Sequence, residues 1–204
     1  MTKIYKLFFF LSFTFLFIGC NGQENPNYIG TKFGTFDLNK IKFEENIDTL
    51  FSKINKNDLI LIVGKNSYFD TIQKKEVYTD TIEYVYRIPQ AKIGGLYSFK
   101  NFKIKDNVVS FYSDSLKRFR RVDFSTYMTR DEYKSFIAEN KDYIDITTDK
   151  VKKFNNDKYV ILEKLEGTKK TLLYCSEVND KDGDYFVRVR INDLKIKDDR
   201  FDKR

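Results

Sequence analysis

Tyr185-Phe186-Val187-Arg188-Val189-Arg190-Ile191 is the stretch that decides the fold class. Val187, Val189 and Ile191 face one way, and Arg188 and Arg190 the other. A repeat of two marks a strand with one buried face. The polar loop from Asn179 to Asp184 joins this strand to Thr171–Val178, and Gly167-Thr168 turns that strand back onto Tyr159–Leu165. Further upstream, Phe119–Phe124 reads as a strand. In Thr81–Ile88 the set Ile82, Tyr84, Tyr86, Ile88 opposes Thr81, Glu83, Val85, Arg87. Phe102 and Ile104 alternate with Lys103 and Lys105, and Asp106-Asn107 offers a tight turn into Val108–Tyr112, which predicts a hairpin. Leu59–Val63 is continuously apolar and predicts a buried strand.

Two helices interrupt the strands. Ile47, Leu50, Phe51 and Ile54 fall at helical spacing within Glu44–Ile54, and Asn55-Lys56-Asn57-Asp58 stops that segment. Thr129 and Glu132 form a capping box; Met128 and Tyr133 staple across it, and Phe136 and Ile137 continue the apolar face. The fold class predicted is α+β: a mostly antiparallel sheet of about seven or eight strands, joined by short connections, with two helices packed on it. A helix followed by strands occurs twice, but the halves share no evident identity, so one sheet is preferred to a duplication.

The chain of 204 residues has 20 Phe and 14 Tyr, which favour strands and fill cores. Its net charge of +7 is dispersed through a sequence that is 33% charged, too diffuse to imply a polyanion partner. No histidine is present. That excludes Ser-His-Asp and Cys-His catalysis, and it leaves any zinc site with carboxylates alone. No G-x-x-x-x-G-K or G-x-G-x-x-G pattern occurs, and Gly94-Gly95 reads as a bend after Pro89.

The N-terminus says where the protein works. Lys3 and Lys6 precede an apolar run, Leu7–Ile18, followed by Gly19 and Cys20. This order of charge, apolar run and small residue is that of an export signal, and the run falls short of the ~20 residues that span a bilayer. Phe17-Ile18-Gly19-Cys20 resembles the lipobox of bacterial lipoproteins, with Phe17 where leucine is commoner and Leu16 one place earlier. The resemblance covers only the first 20 residues. It implies cleavage before Cys20 and lipid on that cysteine, so residues 1–19 are a signal peptide, 20–28 a lipidated cysteine and flexible tether, and 29–204 a single α+β domain outside the cytoplasm. The membrane is then the first partner, through Cys20. Asn21-Gly22-Gln23-Glu24 lacks a dense acidic run, which leans the placement to the periplasmic side of an outer membrane. With Cys20 lipidated, Cys175 has no partner for a disulfide within the chain and reads as a buried strand thiol.

Four other groups hold chemical potential. Lys117, Arg118, Arg120 and Arg121 form the densest basic cluster, interleaved with Phe119 and Phe124. Export argues against nucleic acid, which leaves lipid phosphate or an acidic glycan as the anion, or an ordinary charged sheet face. Arg188 and Arg190 share a face and either clamp an anion or pair with acids such as Glu163 or Glu177. Asp180-Lys181-Asp182-Gly183-Asp184 imitates a calcium loop, but Val178 and Val189 fall where an EF-hand needs carboxylates at its ends. Asp123, Asp131 and Glu132 are among many acids from which no catalytic pair stands out. The expectation is a lipid-anchored cell-envelope lipoprotein with no cofactor, metal or catalytic residues. Its domain serves as a binding or protein-interaction module, with an envelope protein as partner. The alternatives are a carboxylate-dependent glycan hydrolase and a carrier of an apolar ligand lined by Tyr84, Tyr86 and Phe102.

Overall fold

The computed structural model describes residues 28–30, 34–70, 73–88, 95–104, 109–154, 158–180 and 183–195. Cys20 and the signal, most of the tether, the Asp106-Asn107 turn, Gly94 and Lys181-Asp182 lie outside the described residues.

The principal sheet has eight strands and is antiparallel throughout. In spatial order they are β2 (Ile60–Asp70), β3 (Lys75–Ile88), β6 (Val109–Ser113), β7 (Phe119–Met128), β11 (Gly183–Asp193), β10 (Lys169–Asp180), β9 (Tyr159–Glu166) and β8 (Ile144–Asp145). A second, small sheet joins β1 (Phe36–Asp37), β4 (Tyr97–Phe99) and β5 (Phe102–Lys103), with β1 and β4 parallel. Helices α1 (Ile47–Leu50), α2 (Arg130–Glu139) and α3 (Asp149–Phe154), the last beyond the two expected, and 3-10 turns at Leu38–Lys40 and Lys56–Asp58 complete the described elements, and the class is α+β.

Alternation accounts for which face is buried. On β7 and β11, Val122, Phe124, Val187, Val189 and Ile191 enter one continuous core with Tyr86 and Ile88 of β3 and Phe111 of β6. The small sheet and the first two helices cover that face through aromatic rings. Tyr97 packs 5.7 Å from Phe111, Phe99 lies 5.8 Å from Phe124, and Phe51, just past α1, stacks 5.2 Å from Tyr86. Helix α2 begins as its sequence demands. The Thr129 hydroxyl accepts from the Glu132 amide, and the Glu132 carboxylate accepts from the Thr129 amide. Phe136 then meets Phe99 and Phe102. Gly167, at φ +61°, makes the β9–β10 turn in the left-handed region, where a Cβ is strained.

Three local expectations are corrected. The first helix shrinks from Glu44–Ile54 to one turn, because Asn46 caps it from inside that range by accepting from the Asp48 and Thr49 amides. The two arms of the hairpin expected across Asp106-Asn107 do not pair with each other among the described residues. Phe102–Lys103 pairs with β4 in the small sheet, whereas Val109–Ser113 sits centrally between β3 and β7. Most consequentially, Leu59–Val63 is not a buried strand. It enters β2 at the end of the strand order, leaving Ile60, Leu61, Ile62 and Val63 at 50%, 46%, 43% and 54% exposure.

Candidate functional sites

The face opposite the core carries the charge. Register places Arg87, Ser110, Asp123, Arg190, Leu172 and Glu163 side by side in one row across six strands. Three guanidinium groups converge on the carboxylate at its centre. Arg190 grips Asp123 with two bonds, Nε to Oδ1 at 3.0 Å and Nη2 to Oδ2 at 3.1 Å. Arg188 donates to Oδ2 at 2.9 Å, and the Arg121 Nε stands 3.9 Å away. Arg121 also lays its guanidinium 3.7 Å from the centre of the Tyr112 ring. Burial pushes the Asp123 carboxyl up, but the bonds from Arg190 and the charges of Arg190, Arg121 and Arg188 outweigh it and hold it below the usual carboxylate range.

Arg188 and Arg190 therefore pair with an acid, as one of their two readings has it, but the acid sits on β7. Asp123 stands directly opposite Arg190 in the register. Glu163 is held by Lys170 at 2.8 Å, and Glu177 lies 4.0 Å from Arg130. Sequence order hides such a pair, since 67 positions separate Arg190 from Asp123.

The basic cluster read from sequence is divided by the fold. Arg121 belongs to the face just described. Lys117, at φ +61°, projects the other way, with its ammonium 3.9 Å over the Tyr84 ring and 3.6 Å from Asp48. Arg118 donates from Nε to Asp114 at 2.9 Å. Arg120 bridges Asp114 at 2.9 Å and Asp193 at 2.8 Å. Desolvation raises the Asp114 carboxyl, yet the Arg118 amide and the Arg120 and Arg118 side chains bring it below its ordinary value. These cations are engaged by acids of their own, so the four do not converge on one point.

Near Arg120, a cleft of about 560 Å³ opens between the Asn39–Glu44 segment, the β9–β10 turn and the end of β11. Lys40, Lys42, Lys169 and Lys195 share its lining with Glu44, Glu166 and Asp193. Lys195 meets Glu44 at 3.0 Å, and Lys169 meets Glu166 at 3.0 Å. Tyr84, Tyr86 and Phe102 do not line it. Tyr86 is stacked in the core, and Phe102 packs edge-on against Phe136.

Of the remaining candidates, Cys175 is 1% exposed, and burial pushes its thiol up to about 12 despite a hydrogen bond with Tyr133. Asp131 projects from the first turn of α2, and Glu132 is spent on the cap. Among the described residues no group of three or more His, Cys, Asp and Glu is placed to hold a metal.

The feature that sequence reasoning missed is the β2 edge. A continuous apolar run signals burial on both faces, and here both faces are half open. β2 pairs on one side with β3, through Ile60↔Arg87, Leu61↔Tyr86, Ile62↔Val85 and Val63↔Tyr84, and no described strand pairs with its other side. Compared with known proteins, the chain matches no family model, no curated sequence and no solved structure.

Proposed function

We infer that this protein is a lipid-anchored component of the cell envelope whose domain works by binding another polypeptide rather than by transforming a substrate. The anchor half of this reading comes from the order of charge, apolar run and Cys20 in the N-terminal segment. The binding half is carried by one observation: four consecutive aliphatic residues lie half exposed along a sheet edge. Edge strands of monomeric proteins are guarded by charge, proline, bulges or brevity; on β2, Lys65 and the irregularity between Lys65 and Ser67 come after Ile60–Val63, which itself has none of these. Its backbone donors and acceptors on that side suit strand addition, by which an exposed sheet edge recognises an extended peptide.

The electrostatics point the same way. A glycan hydrolase needs a carboxylic acid held protonated near neutral pH. Asp114, Asp123 and Glu166 are instead held low by arginine or lysine, as ionised partners in structural pairs; burial raises Glu45, which the reading leaves without a catalytic partner.

The test is to compare the wild-type lipoprotein with an Ile60→Lys/Ile62→Lys variant, both cross-linked in intact membranes before extraction in mild detergent. The wild type runs as a complex of defined stoichiometry, and the variant remains folded and membrane-bound but runs alone. Identical migration of the two, together with glycan hydrolysis by the wild type, contradicts the reading.

A further inference from the structure

Resting on the reading of β2 as a binding edge, we propose that its partner is a second copy of this chain, joined antiparallel about Leu61 into one continuous sheet. The argument starts from symmetry. A two-fold axis normal to the sheet keeps each residue on its own face, and directly opposed residues of an antiparallel pair share a face. Only registers centred on a residue satisfy both conditions.

Four centres fall on the exposed edge; centring on Val63 sets Leu61 against Lys65, and the other three differ sharply. Centring on Ile60 sets Asp58 against Ile62, and centring on Ile62 sets Ile60 against Gly64 and Leu59 against Lys65. Centring on Leu61 sets Leu61 against itself, Ile60 against Ile62 and Leu59 against Val63. Every opposed pair from 59 to 63 is then aliphatic, and both faces of the run are covered at once. Cross-strand pairs of large apolar residues are the unit of sheet stabilisation.

The strand is held ready for this contact. β3 pairs with it along the whole exposed run, and β6 backs β3 over Tyr84–Ile88, so the edge belongs to the main sheet at that point. The joined stretch is short beside a standard protein interface, so association in dilute solution is weak. Two copies confined to one membrane through Cys20 meet at a far higher effective concentration.

The register gives a sharp test. In an antiparallel pair, opposed Cα atoms lie about 4.5–5.5 Å apart, within disulfide range. Two Val63 residues in the same register are displaced by four positions along the strands, about 14 Å. Leu61→Cys and Val63→Cys variants of the full lipoprotein are oxidised mildly in isolated membranes. Both sites are about half exposed, and folding of each variant is checked by circular dichroism. Leu61→Cys gives a disulfide-linked homodimer at least tenfold more abundant than Val63→Cys. Adding Ile60→Lys to Leu61→Cys removes that product. Equal homodimer yields from positions 61 and 63 overturn the register. A bismaleimide linking Leu61→Cys to a different protein overturns the second copy while leaving the edge as a binding site. If neither disulfide nor bismaleimide joins Leu61→Cys to anything, both readings fall.

Discussion

Removing the Asp123 carboxylate should destabilise this domain strongly. Asp123 is 5% exposed and receives Arg190, Arg188 and Arg121 at once. Asp123→Ala leaves Arg190 and Arg121, themselves 7% and 8% exposed, adjacent and without their shared counter-charge. Breaking a buried pair by deleting one partner costs about 3–5 kcal/mol. With a urea dependence of about 2 kcal/mol/M for a domain of this size, the midpoint falls by about 2 M. Asp123→Asn keeps the shape and an acceptor, so it loses less. Because the folded carboxyl sits below its unfolded value, its stabilisation is complete above about pH 4 and disappears as pH falls through the folded value. The wild type therefore loses stability as pH falls below about 4 more steeply than Asp123→Asn does. Urea titrations monitored by tyrosine fluorescence at pH 7 and pH 3 measure both effects. A midpoint within about 0.5 M of wild type for Asp123→Ala, or parallel pH profiles for Asp123→Asn and wild type, refutes the reasoning.

Three further outcomes are expected. Thr129→Ala removes one half of the capping box and costs about 1 kcal/mol, which the same urea titration detects. Phe111→Ala opens a cavity where rings of Phe51, Tyr97 and Phe119 meet, at a cost of about 3–5 kcal/mol. Burial pushes the Cys175 thiol up to about 12, so a thiol reagent at pH 8 modifies it only at the rate of unfolding and at once in denaturant.

The core face was legible because it rests on a local signal. Each residue of Val187–Ile191 reveals its face through its neighbours in sequence, as Thr129 and Glu132 reveal the start of α2. Lateral position in the sheet has no such signal. Leu59–Val63 carries the composition of a central strand, and nothing in five residues tells whether one neighbour or two will pair with it. The arginines fail for a related reason. Arg120 and Arg121 are adjacent in the chain, but the pleat and the irregularity between Tyr112 and Ser113 in the β6–β7 pairing send them to different partners. Asp123 became the hub of Arg121, Arg188 and Arg190 only when β11 was laid beside β7, a contact made across most of the second half of the chain.

Everything proposed for the β2 edge is strengthened by confinement to a membrane, and that confinement depends on Cys20. The deciding measurement is the intact mass and N-terminal fragmentation of the protein purified from membranes of its own type of cell. The account predicts a chain beginning at Cys20 with a diacylglyceryl group on its sulfur. A chain that retains residues before Cys20, or one that begins at Cys20 with an unmodified thiol, contradicts it.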